Sequence, residues 1–208
     1  MRISVITPST YSPISMSDVK NHLRIHIGET REEDFLYECI DAAVDHTENF
    51  LSRKLTKQTV KYYLDDFPYC HDAIQLPYPP IRKIPSTGLV YTNSTGSSTT
   101  FSSTKWSQDI ISEPGRLVLK YNDNWPTGIT LANNNPISIE YECGYGSTII
   151  GSVGSTNIKL PSAIKHGLLM TIASWYEGRE SYVQSMLDFK QMPIGAMRIM
   201  ASYRIKTF

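Results

Sequence analysis

"LPSAIKHGLLMTIASWYEGRE", residues 160–180, decides the fold of this chain. Pro161 suits the first turn of a helix, and Ile164, Leu168, Ile172, Trp175 or Tyr176, and Arg179 follow three or four residues apart, on one face of a helix ending near Gly178. The crowded end, "SWYEGRE", invites reading as a catalytic carboxylate cluster. Spacing gives it another use. Glu177 and Arg179 are too close in sequence to face each other on a helix, whereas Arg179 can lie over Trp175 or Tyr176. A carboxylate from a second helix, with Glu48 the best placed, is the expected partner of Arg179. An apolar stripe of this kind needs other helices to cover it.

Those helices are expected at the N-terminal end. Ser15 stands three residues before Asp18 in an acidic variant of the capping box, and Val19 and Leu23 follow one turn apart, so a short helix is predicted over 15–24. Thr30 and Glu33 suggest a second box. Leu36, Ile40, Ala43, Thr47 and Leu51 then form the stripe of a long helix from about Arg31 to Ser52. From Thr56 the texture becomes β: "TVKYYLDDF", "AIQLPYPPI", "GLVY", "RLVLK" and "ISIEYEC" are short β-branched or aromatic runs. The Ser/Thr-rich stretch 92–104 is expected to be a hairpin with its loop, and the short strands to need helices over one face.

The predicted class is therefore α+β, with N- and C-terminal helices packed together and a β-rich segment inserted between them. We expect one domain spanning 1–208: helices at about 15–53, β structure at 56–145, a Gly/Ser-rich loop at 146–160, and helices at 161–206. The last of these helices is "IGAMRIMASYRI".

Composition narrows the functional classes. Among 208 residues, twenty basic side chains balance twenty acidic ones, so no net field recruits nucleic acid or an anionic membrane. No run approaches the length of a membrane span, and "MRISVITPSTYSP" lacks the apolar core of a signal peptide, which suggests a cytoplasmic origin. Cys39, Cys70 and Cys143 form no CxxC pair and are expected to be buried apolar residues.

Few residue groups could carry chemistry. His22 and His26 have the spacing of two ligands on one helix face, with His46 or Asp45 as a further ligand, which frames a small metal-dependent hydrolase as the enzyme alternative. Cys70, His71 and Asp72 are consecutive and cannot converge as a nucleophile and base in an extended chain. Gly144, Gly146, Gly151 and Gly154 do not run directly into a helix and lack a following Gly-Lys-Ser/Thr, unlike a phosphate loop. Asp65 and Asp66 end a strand, and Glu32, Glu33 and Asp34 occupy a helix first turn, where negative charge is stabilised. No Gly-x-Ser-x-Gly elbow occurs.

Taken in order, "MSDVKNHLRI", "DAAVDHTENFLSRKL", "IQLPYPPIRKI", "ISIEYECGYG", "LPSAIKHGLLMTIASWYEGRE" and "MPIGAMRIMASYRI" resemble the head-to-tail connector, or adaptor, proteins of long-tailed double-stranded DNA phages. The resemblance covers most of the chain beyond the first dozen residues and the loop at 92–104. Ser52-Arg53 stands where related sequences usually carry Gly-Arg, a departure confined to one turn.

The resemblance implies a structural virion protein made in the host cytoplasm and located in the neck, with no catalysis and no cofactor. Its partners would be the portal protein, a stopper or tail-completion protein, and further copies of itself in a ring, usually of twelve. Genome DNA would pass through the lumen without sequence-specific contact, and no membrane is implied. By the same analogy the C-terminal segment would dock on the portal, with Met197, Met200, Tyr203 and Phe208 as apolar anchors and Arg198, Arg204 and Lys206 as basic partners. A stopper or tail-completion protein of the same neck is the alternative within that assembly.

Overall fold

The computed structural model describes residues 2–69, 72–146, 159–178 and 192–205. The chain divides into two compact units: residues 1–10 with 56–145, and residues 11–55 with 146–208.

The first unit is β. Its strands are β1 (Arg2–Thr7), β2 (Gln58–Leu64), β3 (Ile74–Gln75), β4 (Ile81–Lys83), β5 (Leu89–Thr92), β6 (Ser98–Thr100), β7 (Trp106–Asp109), β8 (Arg116–Leu119) and β9 (Ile137–Cys143). The larger sheet runs β1-β2-β9-β5-β6, and β4 also pairs with β9. Strand β9 is its spine. Ile137, Ile139, Tyr141 and Cys143 are buried, while Ser138, Glu140 and Glu142 between them are partly exposed, the alternation of a strand with one face on a core.

The smaller sheet, β3-β8-β7, supplies the facing layer. Ile74, Trp106, Leu117 and Leu119 join Val60, Ile81, Leu89, Ile137, Ile139 and Tyr141 in one core. This shared core buries one face of the larger sheet against the smaller one. The expected hairpin at 92–104 is present, with Val90 opposite Thr100 and Thr92 opposite Ser98. Strand β1, which the periodicity did not single out, pairs antiparallel with β2.

Entry to and exit from this unit lie side by side, since Gln58 pairs with Cys143. Gly144 makes that approach possible. Its φ is +93°, and a Cβ there would come within 1.9 Å of the Thr56 carbonyl oxygen.

The second unit is helical: α1 (Met16–Leu23), α2 (Glu33–Leu51), α3 (Ser162–Glu177), α4 (Ile194–Met200) and a 3₁₀ turn at Ala201–Tyr203. Here the N- and C-terminal helices pack together as expected. Leu36, Ile40, Ala43, Thr47 and Leu51 of α2 are all buried, as are Ile164, Leu168 and Ile172 of α3. Gly167 gives α4 room, since a Cβ there would stand 2.6 Å from Met200 Sδ.

The two predicted capping boxes fare differently. Ser15 caps α1, accepting the Asp18 N–H at 3.1 Å and donating to the Asp18 carboxylate at 2.7 Å. Helix α2 instead begins after Glu32, without a side-chain cap, and Glu33 pairs with Lys20 of α1. The Lys20 ammonium, on a residue only 2% exposed, also donates to the Ile27 and Glu29 carbonyls at 3.1 and 2.6 Å. A buried ammonium needs a carboxylate more than a helix end does, because an unpaired charge costs more in low dielectric than an orphan N–H.

Candidate functional site

The C-terminal element is built from α2 outward. Helix α2 ends at Ser52, a non-glycine residue in the left-handed conformation (φ 54°, ψ 39°) whose N–H reaches the Glu48 carbonyl. The next residue, Arg53, is buried, and its Nε donates to the Tyr203 carbonyl oxygen. Ile205 N–H donates to the Leu51 carbonyl at 3.0 Å, and the Arg204 guanidinium lies 5.2 Å from the Phe50 ring centre. The Ser52-Arg53 pair therefore turns the chain and straps the C-terminal segment to α2.

With that strap in place, α4 divides into two faces. Ala196 and Met200, one turn apart, are buried, and Met192 is buried just before the helix. The outer face carries Arg198 between two exposed isoleucines, Ile194 at 63% and Ile199 at 37%. Segment 192–205 contains two arginines and no acidic residue, so this face is apolar and basic.

Several predicted docking residues lie on or beside it. Arg198 and Arg204 are exposed, while Met197 and Tyr203 are half-buried. Met200 is wholly buried and belongs to the helical core. Lys206 and Phe208 lie outside the described residues. Ile194 and Ile199, which the sequence reading did not name, lie off the buried Ala196–Met200 stripe.

The "SWYEGRE" cluster also resolves into packing. Trp175 meets His46 edge-on at 6.1 Å between ring centres, and the Tyr176 hydroxyl donates to the Glu32 carboxylate, with Phe35 tilted against the tyrosine ring at 6.3 Å. Arg179 lies outside the described residues. Its expected partner Glu48 is engaged locally: Oε2 receives Lys54 Nζ at 2.6 Å and Oε1 the Leu55 N–H at 2.8 Å.

Among the described residues, the groups read for enzyme chemistry do not converge. Helix α1 ends at Leu23 with Arg24 in the left-handed conformation, so His26 lies past the helix and does not share a face with His22. His26 Nδ1 accepts the Gly28 N–H at 3.1 Å, and His22 packs edge-on against His166. Among the described residues, no three His, Cys, Asp or Glu side chains gather as a metal site. Asp65 pairs with Arg2, and Asp66 accepts the Phe67 N–H at 2.8 Å. Cys39 and Cys143 are buried, while Cys70, His71, Gly151 and Gly154 lie outside the described residues.

Shifted titrations likewise have structural causes. Burial pushes the Tyr141 hydroxyl up, and that hydroxyl donates to the Pro77 carbonyl at 2.7 Å. At Asp18, partial burial acts upward but hydrogen bonds from Lys165 and Ser15 outweigh it and hold the carboxyl below its usual range. No helix among the described residues is long and apolar enough to cross a membrane.

Residues 13–104 match the family model described as phage gp6-like head-tail connector protein. Over that span the chain carries the head-tail connector pattern. No curated protein matches the sequence. Solved structures resemble it over its whole length. A chain in the neck of an empty GTA particle computed with C6 symmetry is 17% identical, with a TM-score of 0.74 over 100% of this chain and 98% of that one. A chain in the virion of a native gene transfer agent particle has the same identity, coverage and TM-score. One in the neck of a native GTA particle computed with C12 symmetry is 16% identical, with a TM-score of 0.69 and the same coverage. At these identities the shared property is the fold.

Proposed function

We propose that this protein is a structural head-to-tail connector of a virion neck, acting as one connector subunit in a ring beneath the portal. The observation that carries this reading is the connector match over 13–104, joined to a whole-length fold likeness to neck chains. The C12 symmetry of one related neck supports a ring of twelve. In this reading the ring prolongs the DNA channel and receives a stopper or tail-completion protein below. The near-neutral charge suits a lumen through which DNA slides without being held. The protein carries out no catalytic step and needs no cofactor.

The face of α4 is the portal-docking surface in this reading. Ile194 and Ile199 supply the apolar anchors that Met200 does not, and Arg198 and Arg204 face an acidic partner, with Met197 and Tyr203 at the margin. The test is to mix the protein with portal-bearing, DNA-filled heads. Wild-type protein should bind as a ring visible by electron microscopy, and deletion of 193–208 should abolish binding. Binding that survives the deletion would rule out this docking surface. Stoichiometric zinc or manganese in the purified protein would overturn the purely structural role.

A further inference from the structure

Helix α4 has only seven residues, and a helix of that length does not hold its shape in water by itself. Its shape is imposed by α3, on which it packs. The contact is reciprocal. Met200 of α4 lies over Gly167 of α3, where a Cβ would come within 2.6 Å of the sulfur, and Met170 of α3 lies over Gly195 of α4, where a Cβ would stand 3.0 Å from the methionine Cε. Each glycine leaves a hollow that a methionine of the other helix fills, which fixes both the rotation of α4 and its position along α3.

The chain is held a second time where it leaves α4. After the 3₁₀ turn the Tyr203 carbonyl receives Arg53 Nε, from a residue 5% exposed, and the Ile205 N–H donates to the Leu51 carbonyl at 3.0 Å. A charged donor in a buried place holds a carbonyl more firmly than a neutral N–H does. On the exposed side Ile194 and Arg198 stand one turn apart, with Ile199 beside them. That array exists only while α4 is helical, and α4 is helical only while it is held at both places. The stakes are large, since each residue left to be ordered on docking costs roughly tenfold in affinity.

We propose that Arg53 is the positioning residue of the docking face: by holding the Tyr203 carbonyl it completes the α3–α4 interlock and keeps Ile194, Arg198 and Ile199 in a fixed array before the portal arrives. Docking then joins two finished surfaces, and no segment of α4 has to fold on contact. This role rests on the α4 docking reading above and adds to it what keeps that surface ready.

The test uses the full chain and portal-bearing, DNA-filled heads, with binding measured by co-sedimentation and amide exchange measured on the free protein. The wild-type Ile205 amide should be protected relative to its intrinsic exchange rate. Arg53→Ala should remove that protection and weaken head binding at least tenfold. Gly167→Ala, which drives Met200 outward without touching Arg53, should weaken binding by a similar factor and decides alone should Arg53→Ala not fold. Lys20→Ala, which weakens the same helical unit away from the strap, should leave the affinity of the folded protein unchanged. Ile194→Asp should abolish binding while the Ile205 amide stays protected. A wild-type Ile205 amide exchanging at its intrinsic rate, either strap variant binding as tightly as wild type, or an equal loss of affinity in Lys20→Ala would each overturn the positioning role and leave the docking face standing. Full binding by Ile194→Asp would overturn the docking face, and the positioning role with it.

Discussion

Two loops, one in each unit, are each organised by a single charged side chain. Between α1 and α2, the Lys20 ammonium gathers the Ile27 and Glu29 carbonyls and the Glu33 carboxylate from a residue 2% exposed. Between β7 and β8, the Asp109 carboxylate gathers Ile111, Ser112 and Arg116 at the surface. The geometry is alike but the dielectric is not. A buried charge that loses its partners has nowhere to turn, whereas water replaces partners lost at the surface. The charged hydrogen bonds of the first loop should therefore be coupled to the stability of its unit, and those of Asp109 only to the shape of its own turn.

Lys20→Ala is the severest way to break that contrast. It should cost about 3 kcal/mol, because the carboxylate and two carbonyls lose a shared donor, and chemical denaturation would measure it. A cost near zero would put the two loops on the same footing. Gly115→Ala comes next. Its methyl would be driven into Ile81, and overpacking of this kind costs about 1–3 kcal/mol, readable as a lower denaturation midpoint.

Ser52→Gly should act in the opposite direction. Relieving a left-handed serine at the end of α2 should stabilise the protein by about 1 kcal/mol, seen as a higher melting temperature. The smallest global effect belongs to Asp109→Asn, which should leave the melting temperature unchanged yet speed amide exchange at Ile111 and Ser112. Hydrogen bonds from Ser112 and Arg116 hold the Asp109 carboxyl well below its usual range. The clasp formed by Asp109 is therefore complete above the ordinary carboxylate range and is lost as pH falls through the lowered value. Protection of these amides relative to their intrinsic exchange rate should persist at pH 4 and fall only in stronger acid.

The same contrast explains what the sequence made legible. Periodicity located α2 and α3 because their stripes, Leu36 to Leu51 and Ile164 to Ile172, repeat over several turns. The alternation in "ISIEYEC" placed β9, the spine of its sheet. Strand β1 was missed because Val5 and Ile6 are about half exposed and give an edge strand little apolar pattern. The Thr30–Glu33 box was misread because local spacing cannot reveal a lysine thirteen positions earlier in need of the same carboxylate. Arg198 and Arg204 were named through the family resemblance, whereas separating the buried Met200 from the exposed Ile194 and Ile199 required knowing which side of α4 packs inward.

Inserting the β unit between α2 and α3 also sets an order of events during synthesis. Every strand of that unit has been made once Cys143 has left the ribosome, so its sheets can close while the later helices are still untranslated. Helices α1 and α2 are older but must wait, since α3, which packs against both, begins only at Ser162. Through that interval Leu36, Ile40 and Ala43 lack their final cover, and the nascent chain is most open to wrong partners there.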